Sequence, residues 1–173
     1  MGFSYKCSGG EPTDSVGLLM SILVCYPEVS TINFFPEKQL LRFTFIYSRV
    51  LGDNELAELK KRLVDSIEAY NHLEGKEILQ LAINHNVCDN LTMIEVQRDV
   101  HSLVQEEITL IVELFRQCPH ANLVTEENDR LIEEDIIVQE EMIEHMLQCM
   151  KGTTEKKYLY AFREEGRVLV FNK

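Results

Sequence analysis

The sequence predicts an α+β protein: an antiparallel or mixed sheet with helices packed mainly on one face. Three observations predict it. Long segments closed by capping residues carry apolar side chains at three- and four-residue steps. Runs rich in β-branched and aromatic residues come in pairs separated by turn formers. The two kinds of segment alternate in the order α-ββ-α-ββ-α-α-ββ, which favours hairpins covered by helices over a parallel sheet.

The elements follow in order. Residues 1–13 hold Gly2, Ser8, Gly9, Gly10 and Pro12 without periodicity and are expected to form a flexible arm before a single α+β domain over residues 14–173. Asp14 can cap a helix over Ser15–Cys25, which Pro27 ends. "VSTINFF" and "LLRFTFIYS", divided by "PEKQ", read as a hairpin. The segment from Gly52 to Gly75 is a helix with Asp53 or Asn54 at its start; Leu56, Leu59, Leu63, Ile67 and Tyr70 lie on one face. Strands are expected over Glu77–Asn84 and Leu91–Gln97, joined by a turn containing Asn86, Asp89 and Asn90. Asp99 is placed to cap a helix over Val100–Gln117, closed by Pro119. A further helix runs from about Glu126 to Met150, with Gly152 beyond it, and the last hairpin turns at Glu165-Gly166.

The stretch from the first helix to the second hairpin resembles the helix–strand–strand–helix–strand run of ferredoxin-like domains. The resemblance is topological and rests on no motif, so it implies a fold and no activity.

The chain has 173 residues, enough for one real core, and a formal net charge of −12. That charge argues against nucleic acid, whose phosphates need clustered Lys and Arg, and against an anionic membrane surface. The longest apolar stretch, Val16–Tyr26, is short of the ~18 residues of a spanning helix. Five scattered cysteines without a C-x-x-C spacing suggest reduced thiols in a cytoplasmic protein. Glycine-rich phosphate loops, the nucleophile elbow and the H-E-x-x-H zinc motif are all missing from the sequence.

Candidate chemistry reduces to a few acids and thiols. On a helical wheel of the segment Arg130–Lys151, Glu133, Glu134, Glu140, Glu141 and Glu144 fall opposite the apolar half, as a solvated face. Asp135 falls inside the apolar half, and Glu107 falls in the middle of the apolar face of the preceding helix. If the two helices form an antiparallel hairpin, Glu107 and Asp135 stand level with each other. Two buried carboxylates need a shared proton, a basic partner such as Arg42 or Arg98, or a divalent metal. A weaker possibility is a zinc site assembled from His85, Cys88, Cys118 and His120, though neither pair has the usual spacing. Tyr158, Tyr160 and Phe162 alternate along one strand and read as a packed sheet face.

These readings point first to a cytoplasmic interaction or regulatory domain that self-associates as a homodimer. A helix over residues 126–150 would be ~38 Å long against a radius of gyration of ~16 Å, and it carries Met142, Met146 and Met150. The alternative is a divalent-metal-dependent enzyme or metal-binding protein built on Glu107 and Asp135. Apart from that metal, no cofactor is implied, and the sequence leaves open whether the chain is an enzyme.

Overall fold

The computed structural model describes residues 14–117, 122–125, 133–151 and 157–172. Its elements are α1 (Asp14–Cys25), β1 (Thr31–Phe35), β2 (Leu40–Tyr47), α2 (Asp53–Leu73), β3 (Leu81–Cys88), β4 (Leu91–Asp99), α3 (Gln105–Arg116), α4 (Glu133–Met150), β5 (Leu159–Glu164) and β6 (Arg167–Asn172). The order and number match the expectation. The six strands form one sheet in the order β3-β4-β2-β1-β5-β6, and every neighbouring pair is antiparallel.

Strand alternation decides where the core lies. Ile32 and Phe34 of β1, Leu41, Phe43, Phe45 and Tyr47 of β2, Ile94 and Val96 of β4, and Leu159 and Ala161 of β5 all point to one side and are buried. The apolar faces of the four helices meet them in one continuous core. Phe115 of α3 stacks on Phe45 with ring centroids 3.8 Å apart. α4 crosses close to α1 at Gly17, where a Cβ would come within 3.0 Å of the Met146 sulfur.

β2-α2-β3 is a split β-α-β unit, with β4 lying between two strands that run the same way. This is the half on which the ferredoxin-like resemblance rested. Beyond it the sheet continues through β1 to β5 and β6, so the strand order is its own.

Several boundaries differ from expectation. The second hairpin closes tightly: Cys88 pairs with Leu91, and the turn is Asp89-Asn90 alone, with φ of 49° and 64°. Two residues at positive φ make the mirror-image turn whose twist suits a hairpin, and Asn and Asp tolerate it. Asn86 is therefore a strand residue. α3 starts at Gln105, five residues later than expected, because Asp99 caps a turn instead: its carboxylate accepts the Ser102 N–H at 2.7 Å. α2 is capped from Gly52, whose N–H donates to the Glu55 carboxylate at 3.2 Å. Residues 126–132, the expected first turns of the last helix, lie outside the described residues, as does the 1–13 arm.

Candidate functional site

Glu107 is fully buried. Its partner is one of the two arginines the sequence offered. Arg98 Nε donates to Oε2 at 2.6 Å and Nη2 donates to Oε1 at 2.8 Å, a two-pronged ion pair with neither side chain exposed. Asn71 of α2 donates to Oε1 at 2.6 Å. Arg98 Nη1 reaches Asp99 at 2.5 Å, the Ser102 hydroxyl at 3.0 Å and the Gln80 carbonyl at 3.1 Å. Burial pushes the Asp99 carboxyl up. The Ser102 hydroxyl, the N–H groups of Gln80 and Ser102, and the charge of Arg98 outweigh it and hold that carboxyl below its ordinary range. The network ties α2, α3 and the β3–β4 hairpin together. Alternation made Arg98 the available partner: with Thr92, Ile94 and Val96 it points into the core, whereas Arg42 alternates with Leu41 and Phe43 and points out of the other face.

Asp135 is exposed on α4, not buried as the helical wheel suggested. α3 shows why it does not meet Glu107. Gln105 faces α1 and α4: its N–H donates to Glu144 at 2.8 Å, and its amide donates to the Tyr26 hydroxyl at 2.8 Å. Glu107, two residues on, is ~200° around the same helix and faces α2. The helices also do not form a simple hairpin. Asn122 and Val124 bond to Ser48 and Ile46 at the end of β2, and Leu123 bridges to Tyr47, so the connection runs along the sheet first. A metal on Glu107 would have to displace the guanidinium of Arg98. Among the described residues, no three His, Cys, Asp or Glu side chains are grouped to hold a metal ion.

The zinc combination is divided by strand geometry. His85 and Cys88 are strand residues of opposite parity, so they project from opposite faces of β3. His85 Nδ1 lies 2.6 Å from Lys60 Nζ, and the Cys88 thiol points to Asp89 at 3.7 Å. Cys118 and His120 lie outside the described residues. Cys25, Cys88 and Cys149 are free thiols. Burial, then the charge of Glu140, pushes the Cys25 thiol up to about 11, away from nucleophilic use.

Two polar anchors were missed in the sequence. Arg163 is buried on the inner side of β5 and donates to the carbonyls of Leu23, Tyr26 and Val29, closing the C-terminal end of α1. Its alternation with Leu159 and Ala161 was the available signal. Thr92 is fully buried; its hydroxyl accepts from Leu51 N–H and donates to the Arg49 carbonyl, fixing the β2–α2 connection.

Arg98, Glu107 and Asp99 are paired within the fold, although Asn71 Oδ1 and Glu28 Oε2 are buried without a hydrogen-bond partner among the described residues, and the candidate site moves to the surface. The side of the sheet away from the core carries Asn33 and Thr44, both buried among their neighbours, the half-buried Phe35, Arg42, Glu95, Tyr160 and Phe162, and the exposed Phe171. Its aromatic half packs on itself: Phe35 with Tyr158 at 5.2 Å, Tyr160 with Phe162 at 5.3 Å, and Phe162 with Phe171 at 5.6 Å. Arg42 lies 4.9 Å over the Phe35 ring. Among the described residues no helix covers this side, and β3 and β6 each have one unpaired edge. Ile137, Val138 and Met142 of α4 are also exposed, whereas Met146 and Met150 are buried.

An antiparallel sheet with helices on one side, none on the other among the described residues, and a buried ion-pair network beneath it defines an α+β protein. No family model, curated protein or solved structure matches the chain. Among the described residues, no helix is long and apolar enough to cross a membrane.

Proposed function

We propose that this chain is a cytoplasmic interaction domain that acts as a homodimer. The observation that carries the reading is the unfinished sheet: helices cover one face, and no described element covers the other or pairs with either border strand. Six strands of five to nine residues make an open face of ~24 by ~23 Å, of the same order as the ~800 Å² per partner of an ordinary protein interface. The apolar side chains left outside, including Val87, Ile137, Val138, Met142 and Phe171, favour a protein partner. The charge of −12 disfavours nucleic acid, and the free thiols of Cys25, Cys88 and Cys149 suit a reducing compartment. Sedimentation equilibrium over a concentration series tests the reading. The mass should rise from the 20.1 kDa of one chain towards twice that value. A single-chain mass up to ~1 mM, weaker than the usual range of specific association, overturns it.

A further inference from the structure

We infer that the unpaired edge of β3 is the self-association surface, joining two copies through β3 into one continuous antiparallel sheet of twelve strands. The inference rests on the homodimer reading above and adds to it the interface and its register.

β3 pairs with β4 only, and the pairing runs unbroken from Leu81↔Arg98 to Cys88↔Leu91. The backbone direction of each residue is fixed at both ends. Asp99 N–H donates to the Gln80 carbonyl at 3.3 Å, so Gln80 aims its backbone groups at β4. The two-residue turn at Asp89-Asn90 requires the same of Cys88. By alternation Ala82, Asn84 and Asn86 also face β4, while Leu81, Ile83, His85 and Val87 direct N–H and C=O outward. Among the described residues, nothing bonds to those four donors and four acceptors.

Within the strand itself the usual protective devices are missing, and a charged side chain from elsewhere in the fold reaches it at His85, where Lys60 Nζ of α2 lies 2.6 Å from Nδ1. Residues 81–88 contain no Lys, Arg, Asp, Glu or Pro, and the strand has no bulge. β6, the other border, offers a shorter edge. Its own tight turn at Glu165-Gly166 leaves only Val168, Val170 and Asn172 facing outward, and Arg167 begins it. Charge points to the same strand. Two chains of net charge −12 repel each other, and β3 brings no carboxylate to the contact.

The strand is complementary to itself in one register. Opposed residues of an antiparallel pair share a face, so the two-fold axis must pass through a residue and not between two. Placing it at Asn84 sets Leu81 against Val87 of the second copy and Ile83 against His85. Every outward residue then meets an outward residue, and all eight backbone groups of each copy are used. Val87, 45 % exposed in one chain, is covered by Leu81 of the other. Ala82 stands opposite Asn86, and the two Asn84 side chains meet on the open face. The axis is perpendicular to the sheet, so both helical layers lie on one side and both open faces on the other.

The full chain and three variants test this by sedimentation equilibrium and non-reducing electrophoresis. His85→Pro removes an outward N–H, not one bonded to β4, and edge strands tolerate Pro there. It should raise the dimer dissociation constant at least about 100-fold, with the circular dichroism of the folded chain retained. Asn84→Lys, which sets two ammonium groups face to face, should do the same and serves if the Pro variant does not fold. Asn84→Cys should give a dimer that is linked on oxidation through the two introduced thiols and released by reductant, a link the parent chain does not form through that position. A dimer with unchanged affinity in His85→Pro or Asn84→Lys, or a dimer that does not link through position 84, overturns the β3 interface and leaves the homodimer reading standing. A parent chain that stays monomeric up to ~1 mM overturns both.

Discussion

Arg98 and Glu107 show what a buried charge requires. Removing one partner of a fully buried pair leaves the other uncompensated, which costs ~3–5 kcal/mol. Glu107→Gln should lower stability by about that much in urea denaturation, because Asp99 alone cannot replace a two-pronged partner. Asp135→Asn should change stability by less than ~0.5 kcal/mol, as expected for an exposed site. The double variant should be additive within ~0.5 kcal/mol; a larger coupling would mean that the two acids communicate after all. Asp99 adds a pH signature. Its folded carboxyl is held below the ordinary value of ~3.9, so its contribution is present above that value and is lost as the pH falls through the depressed one. Asp99→Asn should be less stable than the parent at pH ~7, and the difference should shrink below pH ~4. A difference that stays constant down to pH ~2 would mean that this carboxyl is not held low by its donors. The sequence left Glu107 a shared proton, a metal or a basic partner such as Arg42 or Arg98, and the alternation of β4 could have chosen between those two arginines.

At the scale of elements, boundaries are set by which backbone groups find partners, and single-sequence periodicity reports those poorly. The wheel of α4 gives direction around the axis but not how far along it a neighbour reaches. α1 has 12 residues and spans ~18 Å, while α4 has 18 and spans ~27 Å. Ile143, Met146, Leu147 and Met150 are therefore buried, and Ile137, Val138 and Met142 in the earlier turns are not. Asp135 shares that exposed portion, although its azimuth lies on the apolar half. Glu144 reverses the error: it was expected on the solvated face, yet it caps α3 through the Gln105 N–H, where Val104 supplies no side-chain cap. Glu144→Ala should cost ~0.5–2 kcal/mol, the range for a lost cap, while Glu141→Gln on the exposed side of the same helix should cost less than ~0.5 kcal/mol. Equal effects would place Glu144 back among the solvated acids. Arg163 is the larger anchor. Arg163→Met leaves the carbonyls of Leu23 and Val29 without this donor, while the Tyr26 carbonyl keeps the Val29 N–H at 3.1 Å; at ~1–3 kcal/mol for each buried group the loss should reach ~3 kcal/mol. A loss below ~1 kcal/mol would mean that water serves the end of α1 as well.

For the whole molecule, the alternating segments were enough to give the class and the element order, because hairpins are local and their turns carry their own chemistry. Strand order was beyond the sequence. Nothing in β1 or β4 states that β2 will lie between them, and the placement of β5 beside β1 depends on contacts more than a hundred residues apart, such as Arg163 with Leu23. That order makes β3 a border strand with an uncharged edge. Amide exchange followed residue by residue reads it directly. In dilute protein the N–H groups of Ala82, Asn84, Asn86 and Cys88 bond to β4 and should exchange slowly, while those of Ile83, His85 and Val87 face solvent and should exchange fast. Raising the concentration through the association range should slow Ile83, His85 and Val87 and leave the even-numbered set almost unchanged. Slow exchange of both sets at every dilution would show that the edge is covered within one chain. Fast exchange of the odd set at every concentration would show that copies meet elsewhere, with the exposed stripe of Ile137, Val138 and Met142 on α4 as the next surface to substitute.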